Sequence, residues 1–499
     1  MRFIILLMIS IGLFAGGKSV SRTAEGTAVQ SAKNYFVIQS RLFSADCNQL
    51  KSCAKGLNKG AYSVQRAAKQ LRTCRQQYKK IESFVEYFFP GAAHIYNRAP
   101  NYELEKPFIE YQEPVGFQVI ESLLFEKSEK IDQKKLMGQV NLLAESAAGL
   151  PTLPFETEIT DQQLLESLRI ELIRIMSLGI TGYDAPELKT GLSESRGALE
   201  SFRFQLEPFL IRGDGTAERL RILTDESIHY LTYNHDFDRF DRFTFLRKSA
   251  LPLQEMLGLF VRENNLRLDG DGVLNRDADN LFSANAFRGD QFDTHAPNNP
   301  ALNKLGYILF SEKSLSRNQV RSCASCHQPE KMFTDGLPVG VALDGGTALA
   351  RNAPGLLYSG FQFGQFWDGR SNTLVNQIGT VLHNQEEMDI DTVSIAHKLA
   401  KDSLYVDLLK RAFPDSTISS QSVMFVVSAA IASYLRTLHP QNSLFDQAIQ
   451  GKKNLLSTEQ INGFNLFMGK ARCATCHFIP LFNGLMPPYY DQTEYEVLG

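Results

Sequence analysis

Two five-residue runs carry the most specific chemistry in the chain: Cys323-Ala324-Ser325-Cys326-His327 and Cys473-Ala474-Thr475-Cys476-His477. Two thiols three positions apart can bond to the two vinyl groups along one edge of a haem, while the adjacent imidazole reaches the iron. One pentapeptide thus supplies both anchor and axial ligand. A tetrahedral zinc site made from the four cysteines is the first competitor, but the pairs lie 150 residues apart and each carries its own histidine. A thioredoxin-like dithiol is the second, and it wants a βαβ context where the flanks here read as helical. The expectation is two covalently bound haem c groups, attached through Cys323, Cys326, Cys473 and Cys476, with His327 and His477 as iron ligands.

The elements that must present these runs repeat as well. Gly306-x-x-Leu309-Phe310 precedes the first run and Gly463-x-x-Leu466-Phe467 the second, each reading as a short helix that delivers the chain to the attachment site. Helices are also expected over Ser422 to Leu438 and over Thr458 to Phe467, the latter opening on Ser457-x-x-Gln460. Upstream, Leu71, Cys74, Tyr78, Ile81, Val85 and Phe88 recur at steps of three and four, and Thr160-x-x-Gln163 opens a stripe of Leu164, Leu168, Leu172 and Ile175. Strand signals are sparse. The fold class expected is mainly α: an all-helical domain over 25–270, a linker over 271–300 rich in Asp, Asn, Gly and Pro, and tandem c-type cytochrome domains over 301–450 and 451–499, the second incomplete. In the linker, Asp269, Asp271, Asn275, Asp277 and Asp279 lack the twelve-residue calcium-loop pattern and read as solvated.

Lys plus Arg number 52 against 55 for Asp plus Glu, so nothing points to nucleic acid or an anionic membrane as partner. Arg2, the apolar run Phe3 to Phe14 and the small residues Ala15-Gly16-Gly17 read as an export signal over 1–17. That run is too short to span a bilayer, so a soluble periplasmic protein is expected after cleavage. An uncleaved anchor is the alternative. The remaining cysteines, Cys47, Cys53 and Cys74, allow either one disulfide or buried thiols.

From about Asn303 onward the sequence resembles the bacterial di-haem cytochrome c peroxidase family. The shared text comprises Leu305-Gly306 with Leu309-Phe310, Ser322 to His327, Phe333-Thr334-Asp335, Arg351-Asn352-Ala353-Pro354, Phe366-Trp367-Asp368-Gly369-Arg370, Leu374 with Gln377, and Glu387-Met388. The resemblance implies that the haem held by His327 is the one at which peroxide reacts. It further implies that Glu387 moves a proton from one peroxide oxygen to the other, that Gln377 orients the peroxide, that Trp367 lies between the haems, and that Asn352 contributes to a calcium site. Read without the family, Glu387 and its neighbour Glu386 are surface acids and Trp367 is a core aromatic.

Two departures stand out. The loop Val339 to Gly346 has no histidine, methionine or tyrosine, where many relatives carry an iron-capping histidine, so the first haem is expected to be open without reductive activation. Only 22 residues follow His477, and Met486 is too close to it to be assigned as the second haem's further ligand, so a longer gene product is expected, by about a hundred residues. The N-terminal region is similar, over less text, to imelysin-like helical proteins: Tyr78-Lys79-x-Ile81-Glu82, Tyr87-Phe88-x-Pro90 and Gly116 to Glu121, with Gln118 where those proteins carry histidine. A packing or partner-docking role is expected for it.

The function this implies is reduction of hydrogen peroxide to water, with electrons from a small periplasmic cytochrome c or cupredoxin entering at the second haem. A homodimer is compatible with it. The alternatives are a di-haem oxidase of the methylamine-utilisation type, acting on a partner protein, and a non-catalytic electron carrier, which would have no use for Gln377 and Glu387 beside an open iron.

Overall fold

The computed structural model describes residues 27–57, 61–97, 103–105, 110–125, 131–211, 215–266, 268, 270, 272–294, 299–414 and 419–493. The export signal expected over 1–17, and Asp269 and Asp271, lie outside these. The chain is mainly α, as its periodicity implied; among the described residues the one sheet is the antiparallel pair Glu103–Glu105 with Glu110–Gln112. No described helix is long and apolar enough to cross a membrane.

Three hydrophobic cores organise the helices. The first gathers residues between Val29 and Leu164, with the long helix Thr27–Lys55 lying against Ala61–Tyr78 and Gln133–Gly149. Cys47, Cys53 and Cys74 are all buried in it, with no disulfide bond to one another. The stripe from Leu71 to Val85 is buried as its spacing predicts, but it belongs to two helices, Ala61–Tyr78 and Glu82–Phe88. The break over Lys79 to Ile81 turns the Lys79 ammonium inward to Glu82 Oε1 (2.7 Å) and Asp184 Oδ2 (2.6 Å).

The second core is built around Asp161–Arg174, which opens on the expected Thr160/Gln163 capping box. This helix is buried on every side, Glu166, Arg169, Glu171 and Arg174 included, so a single apolar stripe understates it. Two expectations are corrected here. The 271–300 segment is no solvated linker: Val273, Leu274, Ala278, Leu281, Phe282, Phe287 and Phe292 belong to this core, because its turns point their few apolar residues inward. The segment carrying the second cysteine run is no separate module either, since Ile449, Met468, Ala474, Ile479, Leu485 and Tyr490 share the same core.

The third core lies between the second core's two stretches of sequence. Pro300–Phe310 crosses Val423–Leu435, flanked by Leu374–His383, Thr392–Lys401 and Ser403–Ala412. Gly306 makes that crossing close, because a Cβ there would stand 1.9 Å from the Ala430 carbonyl oxygen. The helix Thr458–Met468 opens on the expected Ser457/Gln460 box, yet Gly463 has nothing within 4 Å and Leu466 is half exposed, so the two delivering helices are alike in text and unlike in packing.

Candidate haem-attachment sites

The first cysteine run forms the single helical turn Cys323–Cys326, capped by a reciprocal Ser322/Ser325 box. The His327 N–H donates to the Cys323 carbonyl (2.9 Å), which folds the imidazole back beside the thiols. Its Nδ1 is 2.9 Å from the Phe333 carbonyl oxygen. A proton held on Nδ1 by a carbonyl leaves Nε2 as the basic nitrogen, the form in which histidine binds a metal. Burial holds the His327 ring below its usual pKa, against the carbonyls of Phe333 and Pro354 and the Asp335 carboxylate, which favours that neutral form.

The second run repeats this geometry. The His477 N–H donates to the Cys473 carbonyl (2.9 Å) and its Nδ1 is 3.2 Å from the Phe482 carbonyl oxygen. Each histidine is followed by a bridge closing the loop, Gln328 with Thr334 and Phe478 with Asn483, and each accepting phenylalanine has positive φ, 62° at Phe333 and 55° at Phe482. Two thiols on one turn and an imidazole with Nδ1 already engaged make a donor set that fits covalently attached haem at both places.

Around the first run, the fold assembles residues that are distant in sequence. Glu387 is half buried; Asn384 Nδ2 donates to its Oε1 (2.7 Å). Burial raises its pKa, against Asn384 and the Arg321 guanidinium, while Glu386 adds to the rise. Burial also pushes up the Cys326 thiol; Arg321 opposes this, and Asp335 and Glu387 add to it. The Cys323 thiol is pushed up to about 12, chiefly by burial. Glu386 is exposed.

Arg321 was invisible as a site residue in the sequence. Its Nη2 donates to the Ala342 carbonyl (2.7 Å) and its Nη1 to the Glu387 carbonyl (3.4 Å). The Leu343 N–H donates to the Glu386 carbonyl (2.7 Å) and Asn318 Nδ2 to the Leu343 carbonyl (3.3 Å), so the histidine-free loop is tied to the acid segment.

The other expected residues are less closely drawn in. Gln377 is half buried on Leu374–His383. Trp367 is 81 % exposed, which corrects its reading as a core aromatic; beside it the Arg370 guanidinium stacks on Phe366 at 3.6 Å. Asn352 is exposed, and among the described residues no three His, Cys, Asp or Glu side chains converge as a cation site. In the Asp-rich segment, Asn275 caps the N–H of Asp277 (3.1 Å) and Asp279 pairs with Arg262 (3.2 Å).

Residues 300–454 match the family model described as di-haem cytochrome c peroxidase. Over these residues the chain is similar to that family. Among relatives, the methylamine utilization protein MauG of Methylophilus methylotrophus is 33% identical over 175 residues, covering 35% of this chain and 51% of that protein. The cytochrome c551 peroxidase of Nitrosomonas europaea is 32% identical over 189 residues, covering 38% and 54%. A solved MauG-like protein associated with microbial copper homeostasis is 29% identical with a TM-score of 0.36, covering 41% of this chain and 59% of that one. The chain spans about half the length of the curated relatives it matches. The family match holds the first attachment run; the second run and the helical region lie outside residues 300–454.

Proposed function

We propose that the protein is a periplasmic di-haem peroxidase that reduces hydrogen peroxide to two waters, consuming two electrons and two protons. A small cytochrome c or cupredoxin donates the electrons at the haem carried by Cys473, Cys476 and His477. The observation that carries this reading is the half-buried Glu387, held by Asn384 (2.7 Å) and with its backbone carbonyl bonded by Arg321 (3.4 Å), two residues before Cys323.

Haem, held by Cys323, Cys326 and His327, supplies the redox centre at which peroxide is reduced. The chain's own residues handle the protons. Glu387 takes a proton from one peroxide oxygen at its carboxylate and returns it to the departing oxygen, a task suited to an acid held above the ordinary glutamate range. Asn384 fixes one carboxylate oxygen by its 2.7 Å bond and leaves the other to face substrate. Gln377 orients the peroxide from the helix Leu374–His383, and Trp367 serves electron passage between the haems. The histidine-free loop, tied by Arg321 and Leu343, leaves the first haem open without prior reduction. Asn352 is the residue to examine for an accessory calcium.

The test is peroxide-dependent oxidation of a reduced small cytochrome c by the haem-loaded full chain beside Glu387→Gln. The variant should lose about 10²- to 10⁴-fold in turnover while keeping both haems, as loss of a general acid–base group does. A variant as fast as the parent would remove Glu387 from the mechanism. One relative's name, methylamine utilization protein MauG, favours a second reading, oxidation of a partner protein. Two bound haems with no peroxide-driven cytochrome oxidation would put that reading first.

A further inference from the structure

The helical region has no part in the chemistry above, yet it holds a costly interior. Arg75 Nε pairs with Glu194 Oε1 at 2.9 Å, Lys79 with Glu82 and Asp184, and Arg174 Nη2 with Glu86 Oε2 at 2.6 Å, nearly all of it buried. Buried ion pairs add little net stability, because desolvation offsets their attraction; what they can specify is a single arrangement of the chain. Here much of the network closes on one segment, residues 182–190. Asp184 gives its carboxylate to Lys79 and its carbonyl to Arg75, and the N–H groups of Glu187 and Leu188 donate to Glu121 Oε1 at 2.7 and 2.6 Å.

The other side of that segment meets the second attachment run at both of its ends. Arg472, directly before Cys473, has φ 59° and bonds the Pro186 carbonyl and Glu187 Oε1 (3.4 Å). Phe478, directly after His477, is fully buried and takes the Tyr183 ring edge-on at 5.6 Å, with Leu178 and Met486 packed around the pair. At the first run, Ser322 and Gln328, which bracket it, bond within its own turn and loop, and Cys323 and Ala324 pack against the third core instead.

The geometry points to the helical region as the positioning scaffold of the second haem, with residues 182–190 seating the turn from Arg472 to Phe478 and so setting the orientation of His477. This rests on the reading that Cys473, Cys476 and His477 hold haem. Glu187 and Tyr183 are the positioning residues at the contact, and Glu121 holds the segment that carries them.

The test uses the haem-loaded full chain as parent, Glu187→Gln and Glu121→Ala. Readouts are the electron paramagnetic resonance and midpoint potential of each haem, and hydrogen exchange of the peptide spanning 473–478. Glu187→Gln, at a half-exposed ion pair, should speed exchange about two- to fivefold, and Glu121→Ala, which strips two N–H groups of their acceptor, about tenfold or more. The second haem's resonance and potential should shift in both variants and the first haem's in neither. Unchanged second-haem signals and exchange, or equal shifts at both haems, would overturn the scaffold. Should Glu121→Ala not fold, Glu187→Gln decides alone. A parent whose mass shows no haem on Cys473 and Cys476 would instead remove the haem reading beneath it.

Discussion

Glu387 and Glu386 are adjacent and chemically identical, and one position along the chain separates an acid raised by burial from one in solvent. In the proposed mechanism the working form of Glu387 is the carboxylate, so turnover should fall as pH drops through its pKa. Because that pKa is raised, the low-pH limb of kcat/KM for peroxide should lie above the ordinary glutamate value of about 4.3. Arg321 pulls the other way, its positive charge favouring the carboxylate. Arg321→Gln should therefore move the limb to higher pH; a limb that stays or moves down would show that Arg321 does not act on this acid.

Among elements, the two delivering helices share the pattern Gly-x-x-Leu-Phe and answer differently to one substitution. Gly306→Ala sets a methyl group against the Ala430 carbonyl and the Tyr434 side chain, so Pro300–Phe310 must lift from Val423–Leu435. Overpacking of this kind costs about 1–3 kcal/mol, read as a lower urea midpoint for this core. Gly463→Ala meets nothing within 4 Å and replaces a helix-interior glycine, so it should gain about 0.5–1 kcal/mol. Equal effects at the two positions would mean that the helices pack alike.

For the whole molecule, the buried network makes stability depend on pH. Burial lifts the Glu171 carboxyl well above its ordinary range, and the facing Glu82 adds to this against Lys79 and Arg174. The folded chain then holds a proton that the unfolded chain releases, so stability is greatest below the ordinary glutamate pKa and declines as pH rises from there toward the raised value. Glu171→Gln removes that slope. Its melting temperature relative to the parent should climb as pH rises above the ordinary glutamate range, with each pH unit worth at most about 1.4 kcal/mol. A constant difference would show that Glu171 is ionised throughout.

Much of this molecule is legible in short stretches of text, because the forces concerned act over one turn. The attachment turns with their histidines, the boxes at Thr160/Gln163 and Ser457/Gln460, and the buried stripes from Leu71 and Leu164 all follow from neighbours three or four positions away. Burial and ion pairing obey no such range. Arg75 finds Glu194 at a separation of 119 residues and Arg472 finds Glu187 at 285. Folding therefore half buried Glu387 while leaving Glu386 exposed, brought Arg321 to it, and left Trp367 in solvent. It also drew the supposed linker into a core and set the second attachment turn on the helical region, since each outcome depends on which distant surfaces exclude water together.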